Sequence, residues 1–192
     1  MGAIKEKMKR DMEIRGLSKR TQEHYLGCIK HKAMILTLDS TGIRASELAN
    51  VKVSDIDSKR MLIRIDQGKN RKDRYVRLPA RLLEILREYW QSEKVKSKIW
   101  LFPGRPQNMP INRNSVRSMV HKAKEAAGIQ KQVTTHTMRH SFATHQLEDG
   151  VDIRKIQLML GHRSLRTTAK YLHVASNYLE ETSNPLDTLN LE

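Results

Sequence analysis

Cysteine is nearly absent: the 192 residues hold one, Cys28. A single thiol excludes a disulfide framework and a cysteine-built zinc site. Aromatic residues are scarce, with two Phe, two Trp and five Tyr. No apolar run approaches the roughly 18 residues of a membrane span. The opening MGAIKEKMKRDMEIRG is charged throughout and lacks a signal-peptide core. Acids are also in short supply, with 21 Asp+Glu against 36 Lys+Arg and a net charge of +15. These absences predict a soluble cytoplasmic protein in a reducing compartment, with no membrane partner. The length allows one domain of roughly 100–200 residues, and 38% apolar residues can still form a core.

What is abundant is positive charge. A pI near 10.1 points first to nucleic acid, because phosphates attract Lys and Arg and release counterions; the alternative is a merely basic surface. The charge is unevenly placed. Residues 1–30 hold eight Lys/Arg and four acids, whereas residues 176–192 hold four acids and no Lys/Arg. The stretch between them therefore carries the whole excess. An acidic tail on a basic body can fold back on it, dock on a neighbouring copy or stay solvated.

Local patterns predict a mainly helical α+β chain. Gly16-Leu17-Ser18 reads as a break between helices, with Ser18 as N-cap. Tyr25 to Leu36 suits one long helix, ended by Thr41-Gly42, and a short helix follows over 45–49. The β-prone runs 61–65 and 75–78 flank a turn-rich gap and predict a hairpin. Helical spacing returns over 80–91, over 116–127 closed by Gly128, and from Thr134 or Thr135 to about Asp149. Two short helices, 152–160 and 164–173, surround Gly161-His162.

Four clusters bear on chemistry. In His136-Thr-Met-Arg139-His140, positions i, i+3 and i+4 share one helix face. They sit in a first turn, where free N–H groups favour an anion. Met138 and Phe142 then point to the core. His136 and His140 also have the spacing of a helical zinc pair, but Thr137 replaces the expected Glu and Arg139 would repel a cation. Arg44 follows a glycine turn and opens a helix; it either reaches into a cleft or pairs with Glu47. The hairpin tip from Lys69 to Arg77 carries five Lys/Arg and one Asp, with Arg71, Lys72 and Arg74 placed to contact DNA. Lys69 beside Gly68 can enter a site. His162 follows a helix beside Gly161 and reads as exposed. Tyr171, nine residues on, is a candidate nucleophile.

Taken in order, TGIRASEL, GKNRKDRYV, HTMRHSFATH, LGHRS and TTAKYLHV closely resemble the catalytic domain of tyrosine recombinases, the phage-type integrases. The resemblance covers about residues 31–175, and LFPGR and NPLD look most like transposon- or integron-associated members. It implies the fold of that catalytic domain, with a small antiparallel β-sheet. It also implies DNA strand cleavage and rejoining through a 3′-phosphotyrosyl intermediate, with no metal, ATP or other cofactor. Tyr171 would be the nucleophile. Arg44 and Arg139 would grip the non-bridging oxygens, Lys69 would protonate the leaving 5′-oxygen, and His136 would assist proton transfer. His162 would add a phosphate hydrogen bond, and His140 would support these groups.

The resemblance further implies double-stranded DNA as partner and a tetramer on two DNA sites, joined through residues 176–192. It implies a bacterial cytoplasmic, nucleoid-associated location. Residues 1–30 resemble only part of the family's core-binding helical region, and Asp39-Ser40 replaces an apolar pair, placing Asp39 near the core or cleft. Two further readings stay open: a non-catalytic DNA-binding remnant that inhibits a full-length enzyme, and a type IB topoisomerase.

Overall fold

The computed structural model describes residues 29–66, 73–93 and 96–172. The expected break at Gly16-Leu17-Ser18, the tip residues Lys69, Arg71 and Lys72, and the acidic tail lie outside the described residues. Within them are seven helices and one three-stranded sheet, a mainly helical α+β fold. None of these helices is long and apolar enough to cross a membrane.

Helix α1 (Ile29–Thr41) buries Ala33, Met34, Thr37, Leu38 and Thr41. The two threonines tolerate burial because each hydroxyl donates back to a carbonyl one turn earlier, Thr37 to Ala33 and Thr41 to Thr37. Asp39 is exposed rather than in the core, yet desolvation raises the pKa of its carboxyl, with His145 opposing. Gly42 ends the helix at φ +63°, and its N–H bonds Leu38 O. A Cβ there would stand 2.4 Å from Cδ1 of Phe142, so both the turn and the close approach require glycine. Helix α2 (Ala45–Ala49) follows at once.

The sheet is antiparallel in the order β1 (Ile56–Asp57), β2 (Leu62–Ile65), β3 (Arg74–Arg77). The hairpin expected from the sequence is β2–β3; β1 is an added edge strand. Ile63 faces Val76 and Ile65 faces Arg74 across the ladder. Strand alternation turns Ile63, Ile65, Val76 and also Arg74 to the core side, while Tyr75 and Arg77 face out.

Helix α3 (Ala80–Ser92) covers the core with Leu82, Leu83, Ile85, Leu86 and Tyr89. The Tyr89 ring stacks on Phe102, and its hydroxyl donates to Leu101 O. Helix α4 (Arg113–Ala126) adds Val116, Met119 and Val120. Helix α5 (Thr135–Glu148) starts where expected: the Thr134 hydroxyl accepts from the Thr137 N–H. Helix α6 (Ile153–Leu160) is capped by Asp152 and ends at Gly161, φ +63°. Helix α7 (Leu165–Ala169) is shorter than the expected 164–173 segment, and residues 170–172 form a turn.

There are two apolar clusters. The larger lies among α1–α4 and the sheet. The smaller joins Phe142, Ala143, Leu147, Ile156, Leu160 and Tyr171. Met138 and Phe142 both point inward as expected, but to different clusters.

Candidate active site

Three of the expected residues meet where the end of α6 passes α5 and the α1–α2 turn. Arg139, on α5, is 4% exposed. Its guanidinium donates to Gly42 O at 2.7 Å and to Leu160 O at 2.6 Å, and lies 3.0 Å from Nε2 of His162. Among the described residues no carboxylate forms an ion pair with it. Burial, then the positive charge of Arg44, lower its pKa to about 10. It stays charged at neutral pH, a buried cation resting on neutral oxygens.

The left-handed turn at Gly161 swings His162 back toward α5. Its Nε2 faces an arginine, which can only donate, so Nε2 accepts and the ring proton sits on Nδ1. Nδ1 lies 3.0 Å from Oγ1 of Thr168, which then accepts. Burial first, then Arg139 and Arg44, push the pKa of His162 down to about 4. The ring is therefore neutral at pH 7, half-buried and bonded at both nitrogens. The expected exposed histidine with a hydrogen bond to spare for phosphate is not what this state contains. Here His162 orients Arg139.

Tyr171 is 3% exposed, within the smaller cluster. Its ring meets His140 edge-on at 5.0 Å and stacks on His162 at 6.4 Å, with Lys170 Nζ 5.5 Å from its centre. Burial raises the phenol pKa, and Arg139 and Arg44 only partly oppose this. The neighbouring cations thus do not yet activate it; at this depth desolvation outweighs their pull.

Arg44 precedes α2, with its side chain 30% exposed. Both sequence readings of it meet here: it borders the site and also pairs with Glu47 at 2.9 Å. Its backbone N–H donates to the same carboxylate at 2.7 Å. Arg74 is where expectation fails. It is not at a DNA-facing surface, because its strand register turns it inward, and it donates two bonds to Glu47, at 2.9 and 2.8 Å. Burial would raise the pKa of Glu47, but Arg74 and then Arg44 bring it down to about 2. The alternation Arg74, Val76, Leu78 carried that signal, since every second residue shares a face.

His136 sits exposed in the first turn of α5. Burial first, then Lys170, His136 and Arg139, lower the pKa of His140. No group of three His, Cys, Asp or Glu gathers as a metal site among the described residues.

Residues 11–177 match the model of the phage integrase family. The chain belongs to that family. It is 49% identical over 170 residues to the Sinorhizobium fredii integrase/recombinase y4qK, covering 87% of this chain and 54% of that protein. It is 40% identical over 153 residues to the tyrosine recombinase XerA of Thermococcus onnurineus, covering 79% of this chain and 54% of XerA. It thus spans about half the length of these integrase relatives. Among solved structures, a XerA recombinase superposes with a TM-score of 0.72 at 32% identity, over 92% of this chain and 61% of that one. A XerH site-specific recombinase bound to its difH substrate gives 0.69 at 26% identity, over 92% and 50%. The fold is that of the tyrosine recombinase catalytic domain.

Proposed function

We propose that this chain is a DNA strand transferase that cleaves and rejoins strands through a 3′-phosphotyrosyl intermediate. The observation that carries the reading is Arg139: a buried guanidinium bonded to no carboxylate among the described residues, beside His162 and Tyr171. A buried cation of this kind gains most when an anion arrives. A planar, permanently charged fork suits the two non-bridging oxygens of a phosphodiester.

In the proposed reaction the Tyr171 oxygen attacks phosphorus and forms a P–O bond, while the bond to the 5′-oxygen breaks. Arg139 and Arg44 hold the charge that builds on the non-bridging oxygens. The raised phenol pKa means that the proton must leave during attack. His136, exposed in the first turn of α5, is the group we assign to receive it. Lys69 supplies a proton to the departing 5′-oxygen. Reversal by another strand's 5′-hydroxyl rejoins the DNA, so the bond energy is conserved and no cofactor is required.

The catalytic unit is assigned to residues 31–175, with 1–30 as part of a core-binding segment. Arg71 and Lys72 are assigned to DNA contacts, and residues 176–192 to docking on a neighbour in a tetramer on two duplexes. The setting for such chemistry is the bacterial cytoplasm, at the nucleoid.

A nicked suicide duplex tests the reaction. The chain should form a covalent adduct on it, and Tyr171→Phe should form none. A gel shift without adduct on any nicked substrate would overturn the proposal.

A further inference from the structure

Arg74 has no part in the proposed chemistry, yet it is among the most heavily bonded side chains in the molecule. Each oxygen of Glu47 takes two donors. Oε1 accepts from Arg44 at 2.9 Å and from Arg74 at 2.9 Å. Oε2 accepts from the Arg44 backbone N–H at 2.7 Å and from Arg74 at 2.8 Å. The Glu47 and Arg74 side chains are 9% and 8% exposed. The third Arg74 nitrogen, Nε, donates to Met159 O at 2.8 Å. The next carbonyl along α6, Leu160 O, accepts from Arg139.

We infer that Arg74 is a positioning residue that fixes the distance between the two phosphate-gripping guanidiniums. It holds Arg44 through Glu47 and holds the end of α6, where Arg139 is anchored. One fork therefore joins the α1–α2 turn, the sheet and α6. A lysine cannot replace it, because one ammonium cannot span both carboxylate oxygens and also reach the Met159 carbonyl. A one-ångström misplacement of such groups costs about a hundredfold in rate. The inference rests on the proposed strand-transfer reading.

Arg74→Lys and Arg74→Met test it, with three readouts: duplex affinity by fluorescence anisotropy, single-turnover adduct formation on the nicked duplex, and the 15N signal of the Arg44 Nε–H. Duplex affinity should stay within about twofold, because Arg74 does not face the surface, while adduct formation falls about 10–100-fold. The Arg44 signal should shift or broaden in both variants. Arg74→Met should also gain an acid limb in its adduct-rate profile, at a pH above that of the native chain. The reason is that, among the described residues, Glu47 is then left with Arg44 just before its own helix and Arg139 from α5, so burial raises its pKa less opposed. General loss of packing would not move that limb.

Unchanged adduct rates would overturn the inference, as would affinity falling in step with rate, which would mark Arg74 as a groove contact. If the native chain forms no adduct, the strand-transfer reading fails. The Arg44 signal then decides separately, and an unchanged signal in Arg74→Lys overturns the positioning role. If Arg74→Met does not fold, Arg74→Lys carries the test.

Discussion

Two clusters of arginine lie on either side of the α1–α2 turn and are built on opposite principles. On one side Arg44 and Arg74 share the Glu47 carboxylate, with every oxygen position filled. On the other, Arg139 is more deeply buried and among the described residues hydrogen-bonds two carbonyls and a neutral imidazole. In the first cluster one carboxylate is shared by two guanidiniums, which fixes Arg74 as scaffold and Arg44 in place for its proposed grip on phosphate. The second has no carboxylate bonded to it among the described residues, and a buried charge without a bonded counter-ion is costly unless a ligand arrives. Depth of burial therefore does not separate the two clusters here; a directly bonded carboxylate does.

The strongest way to break this contrast is Arg139→Lys. Adduct formation on the nicked duplex should fall about 10³-fold, since oxyanion-type donors are worth about 10²–10³ each. A fall of less than tenfold would move the phosphate grip elsewhere. The matching change on the carboxylate-bridged side is Glu47→Gln, which should lower stability by about 3–5 kcal/mol in urea unfolding, because it strands two guanidiniums. Little change would mean that the carboxylate is not the hub.

Next in size is Gly42→Ala. Its positive φ and the contact with Phe142 should cost about 2 kcal/mol, partly recovered in a Phe142→Leu background. The same change displaces the carbonyl that Arg139 uses, so adduct formation should fall as well.

The smallest effect is on acidification, and it should separate the two sides by pH. The folded pKa of His162, about 4, lies below its ordinary 6.5. The unfolded chain binds that proton more readily, so stability falls as pH drops from about 6.5 to about 4 and this group adds nothing further below. His140, also lowered, contributes in the same direction. Glu47, held at about 2 against an ordinary 4.5, keeps its contribution above 4.5 and loses it as pH falls through 2. Urea midpoints between pH 7 and pH 3 should show two steps, and His162→Gln should flatten the upper one. A single step below pH 4.5 would contradict this order.

Much of the frame was legible in the sequence because it is set locally. Thr134 announces α5 through its hydroxyl, and the spacing of His136, Arg139 and His140 fixes their place on that helix. What was not legible depends on contacts between distant segments. Arg74 and Glu47 are 27 positions apart, and nothing in either local pattern names the other as partner. Charge density at the hairpin also obscured strand alternation, which outranks it: a guanidinium on the inner face of β3 goes inward once a carboxylate waits there. His162 looked exposed beside a glycine, but Gly161 is the residue that allows the backbone to fold it inward. Nor does the local pattern around Tyr171 show that its own apolar cluster favours the neutral phenol.

The end of α6 carries one more consequence. Met159 O and Leu160 O are among the last carbonyls of that helix, which its own N–H groups leave unpaired, and they form the negative pole of its dipole. Arg74 and Arg139 occupy them, one each. The guanidinium proposed to grip a DNA phosphate therefore also serves as a helix cap. Loading the site draws on the same donor that closes α6, so substrate occupancy should be felt as fraying or tightening of that last helical turn.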